Sequence, residues 1–264
     1  MAQSSTPSLQ EVFSAADDVA EMLADEPDEP LDVNAGGGSL AVLVELLMLK
    51  RAARTKVSIA DASPRGQLFR ELLSSGQTFR CRGGLGLYNA TSSHVDSADE
   101  ATDFCDEAQR VLKACGMPDL SAVRLSGALH ALLDNVDEHA GPDATCLAGF
   151  EVSEGMATLC VADTGMGVLA GYRSGASMMQ PKDAGQALDW AVVEHRSRTG
   201  RADRGTGFET VVNALRTLDA SMRVRSDDAS LELVQQGSDV DSLLRKQGHL
   251  TGFVVSVLLR WRNA

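Results

Sequence analysis

Two apolar runs, ATCLAGFEVS at 144–153 and MATLCVADTG at 156–165, are separated only by Glu154 and Gly155. So short a separation ending in glycine reads as a turn between two strands. Ahead of them, SADEATDFCDEAQRVLKACG and LSAVRLSGALHALLDNVDEHAG carry the spacing of amphipathic helices, and each closes on a glycine. A long loop-rich stretch follows from Gly165 to Arg204, interrupted by a helical AGQALDWAVVEH. Then come a helix, GTGFETVVNALRTL, and strands ASMRVRSDD, ASLELVQ and TGFVVSVLLRW. QQGSDVDSLLRKQGHL reads as a loop insertion with a short helix. Helices and strands in this order do not fit a parallel doubly wound sheet. They predict an α+β fold, with a mixed sheet carrying helices on one face.

The amino-terminal third has a different texture. Residues 1–30 contain no Lys or Arg and read as an acidic arm, partly helical or disordered. Val12, Phe13, Ala16, Val19, Met22 and Leu23 form a helical stripe that DEPDEP ends. That stripe suits either a partner or the chain's own domain. Residues 31–95 read as a small α/β unit: a Gly-rich turn into the helix of SLAVLVELLMLKRAAR, a strand in TKVSIADAS, and a helix in PRGQLFRELLSSG with Pro64 in its first turn. TFRCRGGLGLYNAT closes the unit as an extended segment and turn. This unit resembles the second half of a STAS-like domain. In partner-switching relatives a serine at such a helix start is phosphorylated, which makes Ser39 a candidate; as an ordinary helix residue Ser39 would be an N-cap.

Charge and composition exclude several functions. A net charge of -13 argues against general affinity for nucleic acid or anionic membranes, because neutralising phosphates takes clustered cations. The longest apolar run contains Glu45 and is too short for a bilayer, and no secretory signal is visible, so a cytoplasmic protein is expected. Five cysteines without a CxxC pair read as reduced thiols with no assigned role.

Three short motifs carry the chemistry. Asn135 and His139 lie one turn apart on a helix in LLDNVDEHA. In VADTGMGV an apolar strand delivers Asp163 to a turn with Gly165 and Gly167, and in RGTGFETVV Gly205, Thr206 and Gly207 open a helix. A carboxylate ending a buried strand is placed to accept a specific hydrogen bond, and an exocyclic amine such as adenine N6 suits it. Glycines beside it let backbone approach a flat ring. Free amides at a helix start suit a polyphosphate, with Arg201 and Arg204 upstream adding positive charge. The Asn135 carboxamide is a hard oxygen ligand for magnesium. His139 can equally be a packed histidine favoured at a helix C-terminus.

Residues 97–264 resemble the ATP-binding domain shared by gyrase, heat-shock chaperones, histidine kinases and mismatch-repair proteins, the GHKL family. Among these the segment is most similar to the anti-sigma-factor serine kinases. LLDNVDEHA is similar to the family's Asn-bearing helix, DTGMG to its adenine turn, and GTGFETVV to the turn after its mobile lid. The resemblance implies a two-layer α/β sandwich of Bergerat type holding ATP and Mg2+. Asn135 would lie near the metal, Asp163 on adenine with Gly165 and Gly167, and Gly205, Thr206 and Gly207 at the phosphates. It also implies a lid at about 168–204. Where this chain has Thr251-Gly252 the family usually has Gly-Thr, so Thr251 maps imperfectly.

One departure bears on catalysis. ATP-hydrolysing members carry a Glu four residues before the Asn, as general base; here that residue is Ala131. Loss of a general base lowers rates on the order of 100- to 10,000-fold. His130 and Asp134 flank the position; His130, the adjacent residue, points about 100° away on a helix. No catalytic residue is assigned. The expected function is an ATP/ADP-dependent regulator that switches a protein partner with slow or absent hydrolysis. The alternatives are an anti-sigma-type serine/threonine kinase or slow ATPase, and an interaction module without nucleotide. A homodimer is left open.

Overall fold

The structure, a computed structural model, describes residues 9–24, 30–35, 38–53, 56–75, 77–91, 98–141, 143–153, 155–175, 179–196, 206–216, 218–236 and 239–261. In chain order the elements are α1 (Leu9–Ala24), β1 (Leu31–Asn34), α2 (Leu40–Ala52), β2 (Val57–Ala60), α3 (Pro64–Ser74), β3 (Phe79–Arg82) and β4 (Leu85–Thr91). They continue with α4 (Ala98–Ala114), α5 (Asp119–His139), β5 (Thr145–Ser153), β6 (Met156–Asp163), α6 (Gly167–Ser174), α7 (Ala184–Val192), α8 (Thr206–Leu215), β7 (Asp219–Gln236) and β8 (Asp239–Arg260).

The fold is α+β, built on a six-stranded sheet of order β3-β4-β5-β6-β8-β7. The expected mixed sheet is not found: every pairing in it is antiparallel. β5 and β6 form the hairpin that Glu154-Gly155 announces. Between β4 and β5 the chain makes two helices, α4 and α5. A helix hairpin returns the chain to the end it left, so the next strand runs the opposite way. Only β1 and β2 are parallel, joined through α2 in a separate two-stranded sheet.

The expectation of helices on one face alone also needs correction. In β6, Ala157, Leu159 and Val161 face one core with α4, α5, α7 and α8, whereas Cys160 and Ala162 face a second core with α1, α2 and α3. Alternation of side chains across a strand thus feeds two cores, and the near-continuous apolar run of β6 is its sequence signature. The strands at 79–91, grouped from the sequence with the amino-terminal unit, belong to this sheet: β4 pairs with β5 from Leu85↔Glu151 to Thr91↔Thr145. α2, buried almost all round, fills the second core.

Local chemistry explains the boundaries. Pro64 sits in the first turn of α3 and Ser63 caps it, accepting from the Gly66 amide at 3.0 Å. Ser39 occupies the N-cap of α2 but makes no capping bond; the Leu40 amide donates to Glu151 Oε2 at 3.3 Å instead. The stretch read as a loop insertion at 235–249 is mostly strand. β8 begins at Asp239 and pairs with β7 through Gln235↔Val240, Leu233↔Ser242 and Leu231↔Leu244. β7 bulges at Asp227, whose φ is 55°. Before the bulge Met222 and Val224 face the first core; after it Leu231 and Leu233 do. The bulge has exchanged the parity of the strand.

Candidate functional site

β6 carries Asp163 to its end almost wholly buried, at 5% exposure. Its Oδ1 accepts from the Gly165 amide at 2.7 Å, and Oδ2 has no hydrogen-bond partner among the described residues. Burial pushes the carboxyl pKa up to about 6, a rise that the Gly165 N–H opposes. Among the described residues no cation offsets the charge. Cys146 lies directly opposite on β5 and is itself pushed up, by burial first and then by the Asp163 charge.

The turn after β6 is fixed by backbone packing on three sides. The Thr145 amide donates to Thr164 Oγ1 at 2.9 Å, tying the turn to β5. A Cβ at Gly165 would stand 2.7 Å from the Ala140 carbonyl carbon, so glycine is required where the turn meets the C-terminal end of α5. Gly167, at φ 75°, opens α6, and a Cβ there would lie 2.9 Å from Ser226 Oγ. The first amides of α6 are held from the β7 bulge: Val168 N–H donates to Ser226 Oγ at 3.0 Å and Leu169 N–H to Asp227 Oδ2 at 3.4 Å. Ser226 donates in turn to the Gly252 carbonyl at 2.7 Å. Gly252, at φ 87°, presses on Asp163, with a Cβ there only 2.9 Å from the Asp163 carbonyl carbon.

Asn135 lies one turn from the end of α5, half-buried. Its Nδ2 is shielded from solvent and has no partner among the described residues. Ala131 occupies the position one turn earlier, also half-buried. His139 Nε2 lies 3.9 Å from Glu138 Oε2. α8 packs along α5, and its first turn contains Thr206 and Gly207. Gly205, Arg201 and Arg204 lie outside the described residues.

The structure therefore brings the DTGMG turn against the end of the Asn135 helix and sets α8 beside the same helix. It places no hydrogen bond between Asn135 and Asp163. Among the described residues no three His, Cys, Asp or Glu side chains are grouped to hold a metal. A magnesium bound mainly through phosphates and water needs only one or two protein oxygens, and the Asn135 carboxamide oxygen, which accepts no hydrogen bond among the described residues, fits that demand.

Sequence reasoning missed Ser226 and Asp227, and it named Gly252 without placing it against Asp163. The polar break SDD within an otherwise alternating strand was the signal for the first two, but a break does not say which helix it caps. Trp190 anchors α7, meeting Tyr172 edge-on at 6.0 Å with the Arg196 guanidinium 4.8 Å above its ring. All five cysteines are free, and no described helix is long and apolar enough to cross a membrane. No protein-family model matches the chain, and no curated protein matches its sequence.

Proposed function

We propose that the protein is an ATP-binding regulator of GHKL type that holds a partner protein differently in its ATP-bound and ADP-bound forms, with slow or absent hydrolysis. The observation that carries this reading is Asp163: a buried carboxylate with one oxygen fixed by its own turn and, among the described residues, no cation beside it and no partner for the other oxygen. A hydrogen-bond donor from a flat base suits that oxygen, while Gly165 and Gly167 seat the turn against Ala140 and the β7 bulge. Asn135 would hold magnesium. The first turn of α8, with Thr206, Gly207 and the preceding Gly205, would take the phosphates through backbone amides.

Bound nucleotide would supply the charge that orders the segment between α6 and α8. Everything else falls to the chain's own groups: Asp163 orients the base, α5 fixes the metal-side carboxamide, and Ser226 with Asp227 holds the start of α6. Ala131 supports slow turnover, since a methyl group takes no proton from water or a hydroxyl.

Purified protein incubated with γ-labelled ATP and magnesium for hours tests the proposal. The expected result is label retained in intact, protein-bound ATP. Rapid release of labelled phosphate or transfer of label to protein overturns the slow-turnover reading, and no bound label overturns the nucleotide reading itself.

A further inference from the structure

α1 is the outermost layer of the second face, lying over α2 and the β7–β8 ribbon. It buries Leu9, Phe13, Ala16, Val19 and Ala20 and leaves Met22 42% exposed. Beneath it lies a cluster of charge where an apolar floor would be expected. Arg223 and Arg225, on β7, are 1% and 0% exposed. Asp17 of α1 receives Arg223 through both terminal nitrogens, one of them at 3.3 Å, and lies 3.5 Å from Arg225. Glu45 of α2 is shared between Arg225 and Arg223, and Glu232 of β7 accepts from Arg223 at 3.2 Å. Arg245 stands 3.8 Å from Glu232 at the rim and donates to Gln10 of α1 at 3.3 Å.

The charge count explains what this floor is suited to hold. Without α1, Arg223, Arg225 and Arg245 face two carboxylates, Glu45 and Glu232, which leaves one positive charge in excess. Asp17 makes the cluster neutral. The floor also keeps its own partners when α1 is absent: Arg223 retains Glu45 and Glu232, and Arg225 retains Glu45 and the Gly248 carbonyl at 2.8 Å. Emptying the groove leaves Arg223 and Arg225 their counterions and lets them hydrate, and it uncovers a surface that mixes these charges with apolar residues of α2 and β8 that share a core with α1.

Recognition elements are laid out at helical spacing. Phe13 stacks under the Arg223 guanidinium at 4.6 Å, Asp17 follows at i+4 to take the bidentate contact, and small residues stand at Ala16 and Ala20. Ala20 passes so close to Gly248 that a Cβ at 248 would lie 3.0 Å from the Ala20 Cβ, which keeps that position glycine. An aromatic, a carboxylate four residues later and an alanine at the seventh step define a helix-in-groove ligand.

We propose that this groove is a docking surface for an acidic amphipathic helix of a partner protein, and that α1 holds its place within the chain until the partner helix displaces it. The proposal is independent of nucleotide binding.

A labelled synthetic peptide of residues 9–24, standing for the partner helix, is titrated by fluorescence anisotropy into the full chain and into a Phe13→Ala/Asp17→Asn variant. The variant is expected to bind the peptide at least about tenfold more tightly than the unmodified chain, in which α1 competes. A peptide carrying Asp17→Asn should bind the variant about tenfold or more weakly, since it loses a charge-assisted pair. Equal binding by the two proteins, or by the two peptides, overturns the proposal. Hydrogen exchange on the unmodified chain guards against a misfolded variant: α1 amides should exchange well ahead of those of α2, and equal protection overturns the idea of a displaceable helix. A stable dimer with exchanged α1, seen by light scattering and crosslinking, gives the groove to a second copy and overturns the partner assignment.

Discussion

Glu45 and Asp163 are both buried carboxylates beside the same sheet, at 0% and 5% exposure, yet their surroundings are opposite. Glu45 faces two guanidinium groups, while Asp163, among the described residues, is hydrogen-bonded only by the amide of its own turn. A buried charge without a counterion is costly and persists when something outside the chain completes it; one ringed by arginines is completed from within. The difference separates a carboxylate that holds layers together from one that, on the proposed reading, a ligand would complete.

The largest effect expected from breaking this contrast is at Glu45. Glu45→Leu leaves Arg223 and Arg225 short of a counterion and should lower unfolding free energy by about 3–5 kcal/mol, read from a denaturant midpoint. A loss below about 1 kcal/mol would show that the arginines hydrate in place.

Asp163 should behave in reverse. Its folded pKa, about 6, lies above the 3.8 of a free carboxyl, so folding favours the protonated form. The resulting stabilisation is complete below pH 3.8 and is lost as pH rises through 6, a swing of about 3 kcal/mol. Unfolding curves between pH 3.5 and 7 for the unmodified chain and for Asp163→Asn check it, because the substitution should remove that component of the slope. At pH 7 the same variant should be no less stable than the parent while binding ATP roughly 10- to 100-fold more weakly. Unchanged ATP binding would remove Asp163 from the site. The smallest effect is at Ser226→Ala, which takes one acceptor from α6 and one donor from the Gly252 carbonyl and should cost about 1 kcal/mol.

The same contrast marks how far the sequence could be read. Asp163 was legible because its signal is local: an apolar strand, an acidic residue, then glycines. The glycine ends of α4 and α5 and the Pro64 start of α3 were legible for the same reason. The Arg223 cluster was not, because MRVR reads as ordinary polar alternation and two of its three carboxylates, Glu45 and Asp17, lie about 180 and 200 residues away in sequence. The stripe on α1 was visible, but nothing local said that it packs on its own sheet. The start of β8 was misread because SDVDSLLRKQGHL is polar enough for a loop; pairing with the apolar run of β7, together with cover from α1, makes it a strand. Gly205 falls outside the described residues, so the phosphate-side expectation rests on Thr206 and Gly207 at the start of α8.

The bulge at Asp227 sets a limit on heredity as well as on shape. Most exposed strand breaks absorb a lost or gained codon with little harm. Here a one-codon deletion at Asp227 or Asp228 would restore simple alternation along β7, turning Leu231 and Leu233 toward the charged groove and Glu232 into the apolar core. Length variation among descendants of this chain should therefore avoid that pair of aspartates.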